Sequence, residues 1–282
     1  VFGSVQRFAA IVRGRTLANT RFIARATANA GPKQGCRRAE PGRHIKTRIE
    51  AAPRVPFICT VIRTVQGVHD MTTIAGIKIP DSMMAREATQ LVRDTETDLL
   101  YHHSRRVFLF GSLAGQRKQL KYDPELLYIG AMFHDMGLVA PYSSEHERFE
   151  VDGANAARDF LRSHGIGADD IEQVWTSIAL HTTPGVPQHM KPVIALVTAG
   201  VEMDVLGLAY DEFSEQQREA VVHAHPRGAH FKENIIEAFA CGTIHKPHTT
   251  FGNVKADVLA LKDPHYHREN FCTIILESSW KD

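Results

Sequence analysis

The chain has 282 residues, 43% hydrophobic and 23% charged, and carries a formal net charge of +1. Such a chain can bury a sizeable core as one large domain or two small ones. It holds no run of about 18 apolar residues, which excludes a membrane-spanning helix as the sequence reads. Four cysteines, Cys36, Cys59, Cys241 and Cys272, lie far apart without a CxxC pair. That argues against a disulfide framework or a cysteine zinc site and suggests a reducing compartment.

Charge is unevenly spread. Residues 1–70 hold 13 Lys and Arg against Glu40, Glu50 and Asp70, whereas the remainder holds 20 basic and 29 acidic residues. The first segment is broken by Gly31-Pro32, Pro41-Gly42, Pro53 and Pro56, and no sustained helical or strand pattern runs through it. It reads as a basic N-terminal extension without chemistry, preceding a domain that opens at Met71. An organellar transit peptide is the alternative, because composition of this kind also marks such segments. The acidic remainder offers no excess of cations for phosphates, so no nucleic-acid partner is expected.

From Met71 the pattern is helical. Asp81-Ser82 precedes an expected helix over 82–93, followed by helices over 95–115 and, led by Asp123-Pro124-Glu125, over 124–136. Asp152 to His164 is stopped by Gly165, and Asp169 to His181 by Thr182-Thr183-Pro184-Gly185. Pro192 opens a helix to about Leu206. Ser214 to Ala224 and Phe231 to Cys241 supply two more, and a last one is expected beyond Asp263. With little period-two alternation, this is one all-α bundle spanning 71–282.

Candidate functional residues are ionisable side chains on faces that should be apolar. His103 lines up with Leu99, Val107 and Phe110, whereas His102 lines up with Asp98 and Arg106. His134 shares a face with Leu127, Ala131 and Leu138, and Asp135 follows it. Asp204 follows Val197, Gly200 and Val201, and His181 follows Val174 and Ile178. A single inward His is usually a hydrogen-bonded core residue. Four helices each turning a His or Asp inward suggest instead a metal site in the bundle core, with ligands that suit Zn, Fe or Mn.

The order His103, His134-Asp135, Asp204 resembles the H…HD…D signature of the HD superfamily. Several stretches are similar to its cyanamide-hydratase-like branch: His103-Ser104-Arg105-Arg106-Val107, Phe149 to Ala154, Ile178 to Thr183, Asp204 to Gly207, His225-Pro226-Arg227 and Thr249 to Asn253. They span nearly all of residues 71–282 and none of 1–70. The resemblance implies an HD-domain helical bundle with His103, His134, Asp135 and Asp204 as ligands of one divalent transition metal, zinc ahead of iron or manganese. His181 matches a histidine beside the metal-bound water or substrate. Two-metal relatives carry extra histidines between the HD pair and the final Asp. Here only His146, His164 and His189 fall there, none suitably placed.

The chemistry this implies is attack of a metal-activated water on a small nitrile-like or amidine-like carbon, cyanamide to urea by resemblance. His181 is the expected general acid–base, and Asp135 both holds the metal and orients the water. A phosphohydrolase acting on nucleotides or other phosphate esters is the alternative, and a non-catalytic metal module a third. Ser104, Thr182 and Arg148 are candidate supporting residues, with capping or surface salt bridges as their plain explanation. His225-Pro226-Arg227 and Phe251 suggest a lid. The expected partner is a small-molecule substrate, in the cytoplasm and without a membrane, with self-association left open.

Overall fold

The structure, a computed structural model, describes residues 73–269. The expectations for residues 1–70 therefore lie outside the described residues. A short antiparallel hairpin, β1 (Thr73–Ile74) and β2 (Ile77–Lys78), comes first; its strands are too short to leave a period-two pattern. Helix α1 (Met83–Thr95) is capped by Ser82, whose hydroxyl accepts the Ala85 N–H. Helix α2 (Asp98–Arg117) is capped by Thr97. Asp123 accepts from Glu125 and Leu126 at the start of α3 (Pro124–Phe133), where Pro124 has no N–H to leave unpaired.

Helices α4 (Phe149–Ser163), α5 (Ala168–Ala179), α6 (Pro192–Val201), α7 (Glu215–Ala224), α8 (Phe231–Thr243) and α9 (Lys255–Lys262) complete the described residues. Three expectations shift in instructive ways. Helix α3 stops at Phe133 instead of 136, and a 3₁₀ turn, Met136–Leu138, follows His134 and Asp135. Helix α4 begins at Phe149, three residues before Asp152. Helix α6 changes at Glu202 into a π turn, Glu202–Leu206, that ends at Gly207 with φ of 68°. Helix α9 was not anticipated, and residues 264–269 contain no helix. Cys241 is disulfide-bonded, against the reading of the cysteine spacing as arguing against disulfides and for a reducing compartment.

Helices α2, α3 and α6 form the centre. From Leu100 to Gly115 only His102 is not buried, and α3 is buried from Leu126 to Phe133. Helices α2 and α6 press backbone to backbone. A Cβ at Gly111 would stand 2.6 Å from the Leu196 carbonyl oxygen, and one at Gly200 would collide with that of Val107. Only glycine permits this approach, and it seats the π turn carrying Asp204 against α2. A smaller apolar group, Leu100, Leu138, Phe149, Phe231 and Ile235, roofs the other side. Two buried lysines pin the C-terminal part to the first turn of α4: Lys246 Nζ donates to Asp152 Oδ2 at 2.7 Å, and Lys255 Nζ donates to Glu150.

Among the described residues no helix is long and apolar enough to cross a membrane.

Candidate metal centre

His103, His134, Asp135, His181 and Asp204 are all buried. Their placement follows from the elements above. His103 projects from the inward stripe of α2, while His102 on the next face is half-buried. The break between α3 and the 3₁₀ turn lets two consecutive residues serve one place, which a continuing helix would forbid because neighbours diverge by about 100°. His181 sits just past the end of α5, its N–H bonded to the Ile178 carbonyl at 3.3 Å.

Hydrogen bonds set the tautomers. His134 Nδ1–H donates to the Ala131 carbonyl and His181 Nδ1–H to the Ile178 carbonyl, both at 2.7 Å. His103 Nδ1 bonds Asp204 Oδ2 at 2.7 Å. Each ring then presents an Nε2 lone pair. His103 Nε2 and His134 Nε2 face each other at 3.1 Å, and Asp135 Oδ2 lies 3.6 Å and 3.3 Å from them. His181 Nε2 is 3.7 Å from Asp135 Oδ1. Asp135 Oδ1, Asp135 Oδ2 and His181 Nε2 are buried and lack any hydrogen-bond partner. Lone pairs converging without a proton between them repel, and a cation is what relieves them. A shared ion with bonds of about 2.1 Å would hold its ligand atoms roughly 3.0–3.4 Å apart, close to the observed spacings. His103, His134 and Asp135 are the group among the described residues that can hold an ion.

Asp204 does not join that group; it docks on the opposite nitrogen of His103. Its Oδ1 accepts from Arg106 Nε at 2.8 Å and Arg227 Nη1 at 2.6 Å, and its Oδ2 from Arg106 Nη2 at 2.8 Å. Burial works against ionisation of both Asp135 and Asp204, but their cationic and histidine neighbours outweigh it and hold them below the usual carboxylate range. His181 is pushed down to about 4, first by burial and then by His134, so its ring is neutral at pH 7.

Two carboxylates escaped sequence reasoning. Glu96 is buried in the α1–α2 connection, bonded by Ser104 Oγ at 3.4 Å, and burial beside Asp135 raises its pKa well above the ordinary value. Its segment, Thr95-Glu96-Thr97-Asp98, carries no apolar stripe to reveal it. Glu150 is fully buried near His181 and accepts from Thr182, Lys255 and Arg148. With α4 starting at Phe149, Glu150 falls in line with Ala154, Ala157 and Leu161, a signal the later start concealed. Arg148 thus forms an ion pair with Glu150, and Thr182 supports the same carboxylate. Of the expected lid, Arg227 reaches Asp204 whereas Phe251 is exposed. His164 pairs with Glu87 at 2.8 Å, away from the cluster.

Residues 100–219 match the HD domain family, a stretch that contains all five expected site residues. No curated protein matches the chain. The described residues are almost entirely helical, as expected. Together with the buried His103, His134 and Asp135, the match supports a metal-dependent hydrolase of the HD superfamily that uses a divalent ion.

Proposed function

We propose that the chain adds water to a small nitrile-like or amidine-like carbon, with cyanamide to urea as the reaction to try first. The observation that carries the enzymatic reading is the set of unpaired, buried polar atoms at one point: Asp135 Oδ1 and Oδ2 with His181 Nε2, beside the facing Nε2 atoms of His103 and His134. His103, His134 and Asp135 would hold one divalent transition metal, zinc being our first choice. Asp204 belongs to the proposed set as the group that turns His103 Nε2 toward the ion; ligating directly would mean exchanging the His103 bond for the metal. A divalent ion here supplies Lewis acidity, lowering the pKa of a bound water from about 15.7 toward 7.

The remaining work falls to the protein. Asp135 Oδ1 accepts a hydrogen bond from the attacking water and orients it. His181 Nε2, neutral and 3.7 Å from that oxygen, takes the water's proton and returns it to the substrate nitrogen as the C–O bond forms. The bond from Nδ1 to Ile178 keeps the ring in the required tautomer. The depth of burial of His103, His134, Asp135 and His181 favours a small substrate over a macromolecule, and the acidic balance of residues 71–282 speaks against nucleic acid.

The test is metal content of the purified protein and of Asp135→Ala, followed by urea release from cyanamide. About one metal per chain, lost in Asp135→Ala, with urea formed, supports the proposal. Metal without urea keeps the hydrolase and redirects the substrate search to phosphate esters. Absence of metal after reconstitution overturns it.

A further inference from the structure

Two adjacent arginines on α2 meet opposite electrostatic circumstances. Arg106 is wholly buried and fully matched, its Nε and Nη2 on Asp204 at 2.8 Å and its Nη1 on the His225 and Pro226 carbonyls at 3.1 and 2.9 Å. Arg105 is only 8% exposed, yet among the described residues it forms no ion pair. Its partners are uncharged: Nε–H donates to His225 Nε2 at 3.4 Å and Nη1 to the Tyr128 hydroxyl. Among the described residues its Nη2 makes no hydrogen bond. A buried cation with neutral partners is costly, because hydrogen bonds do not replace a counter-charge.

The surroundings deepen the imbalance. His225 Nδ1 faces His102 Nδ1 at 3.4 Å, and Tyr101 packs edge-on against His102 at 5.3 Å. Over Tyr101 lies the exposed guanidinium of Arg93, 4.4 Å from the ring centre and likewise without an ion pair. Asp94 and Asp98, the carboxylates that act on Arg93, are exposed. His225 is pushed down to about 3 by burial and then by Arg105, His102, Arg106 and Arg93, which registers how electropositive this spot is.

We propose that Arg105 Nη2, with His225 and His102 beside it and Arg93 at the rim, forms a binding site for a small oxyanion of phosphate or carboxylate type, separate from the metal centre. The site is independent of the proposed reaction. Because Arg106 ties the His225-Pro226 carbonyls and Arg227 holds Asp204, an anion on Arg105 would also brace the loop behind His103.

Thermal unfolding of the full chain, as purified, is followed in rising inorganic phosphate and separately in acetate. Wild type, Arg105→Gln and, as a control at a half-buried arginine away from this site, Arg158→Gln are compared, with metal content measured alongside. The expected result is a rise in Tm for wild type and Arg158→Gln. Arg105→Gln should need at least tenfold more anion for the same rise while keeping its metal. Which anion works identifies the source. Without anion, Arg105→Gln should be no less stable than wild type, since an unmatched charge is lost; a purely structural Arg105 gives the reverse. No rise with either anion, or an equal rise in Arg105→Gln, overturns the proposal. Should Arg105→Gln fail to fold, Arg93→Gln, at the exposed rim, must weaken the phosphate response severalfold, and an unchanged response overturns it equally.

Discussion

His181 illustrates how a single residue is prepared for work. Its Nδ1–H is committed to the Ile178 carbonyl, and its Nε2 has neither partner nor solvent. Leaving a buried acceptor unpaired costs about 1–3 kcal/mol, a cost that a reaction using that lone pair explains. His181→Ala should therefore keep its metal and lose about 10²–10⁴-fold in rate; an unchanged rate assigns the proton to another group. Since the ring is neutral down to about pH 4, the rate should hold from pH 7 to about pH 5 and fall as pH drops through about 4. Asp204 is different: every interaction it makes orients something else. Asp204→Asn leaves Arg106 and Arg227 short of charge and loosens His103, so metal affinity should drop about 10–100-fold. Equilibrium dialysis against zinc would measure this, and wild-type affinity would rule out the orienting role.

At the scale of elements, the first turn of α4 carries two carboxylates, Glu150 and Asp152, each met by a lysine from the C-terminal part. Removing one member of a buried pair strands the other, so Lys255→Met should destabilise by about 3–5 kcal/mol. The double variant Glu150→Gln, Lys255→Met should recover most of that in denaturant unfolding. If it recovers nothing, the pair is not the unit that matters. Burial alone would raise the pKa of Glu150, but Lys255, His181 and Arg148 bring it below its ordinary 4.5. A carboxyl depressed in the folded state contributes stability above its unfolded value and loses it on acidification. Lys255→Met has already lost that contribution, so its stability deficit relative to wild type should be largest near neutral pH and shrink as pH falls below about 4.5. The expected helices mostly appear where periodicity and caps located them. Helix α4 was misjudged because its first residues, Phe149-Glu150, mix an aromatic with a charge and have no Ser, Thr, Asp or Asn as cap; Arg148 stands there instead.

The whole molecule places converging lone pairs in its core, and an ion that binds only this folded arrangement must stabilise it. At a free metal concentration about 100 times its Kd, the gain is about 2.7 kcal/mol. For a domain of this size, chelation should then lower Tm by roughly 5–10 °C, reversed by zinc or iron; no shift with any divalent metal would sink the metal reading. What the sequence determined by itself was local: the 3.6-residue period that puts His103, His134, Asp204 and His181 on buried faces, the caps, and the all-α class. The match across residues 100–219 agrees with that reading. Only the tertiary structure decided which groups those residues meet. Asp204 faces the far side of His103 because Gly111 and Gly200 let α2 and α6 touch, and Arg227 arrives from a loop after α7. Glu96, Glu150 and Lys255 enter the site from a connector, a helix start and the C-terminal end. A periodic pattern records which face of an element is buried, since that depends on neighbours along one helix. It holds no record of what is buried opposite, which depends on how the helices cross.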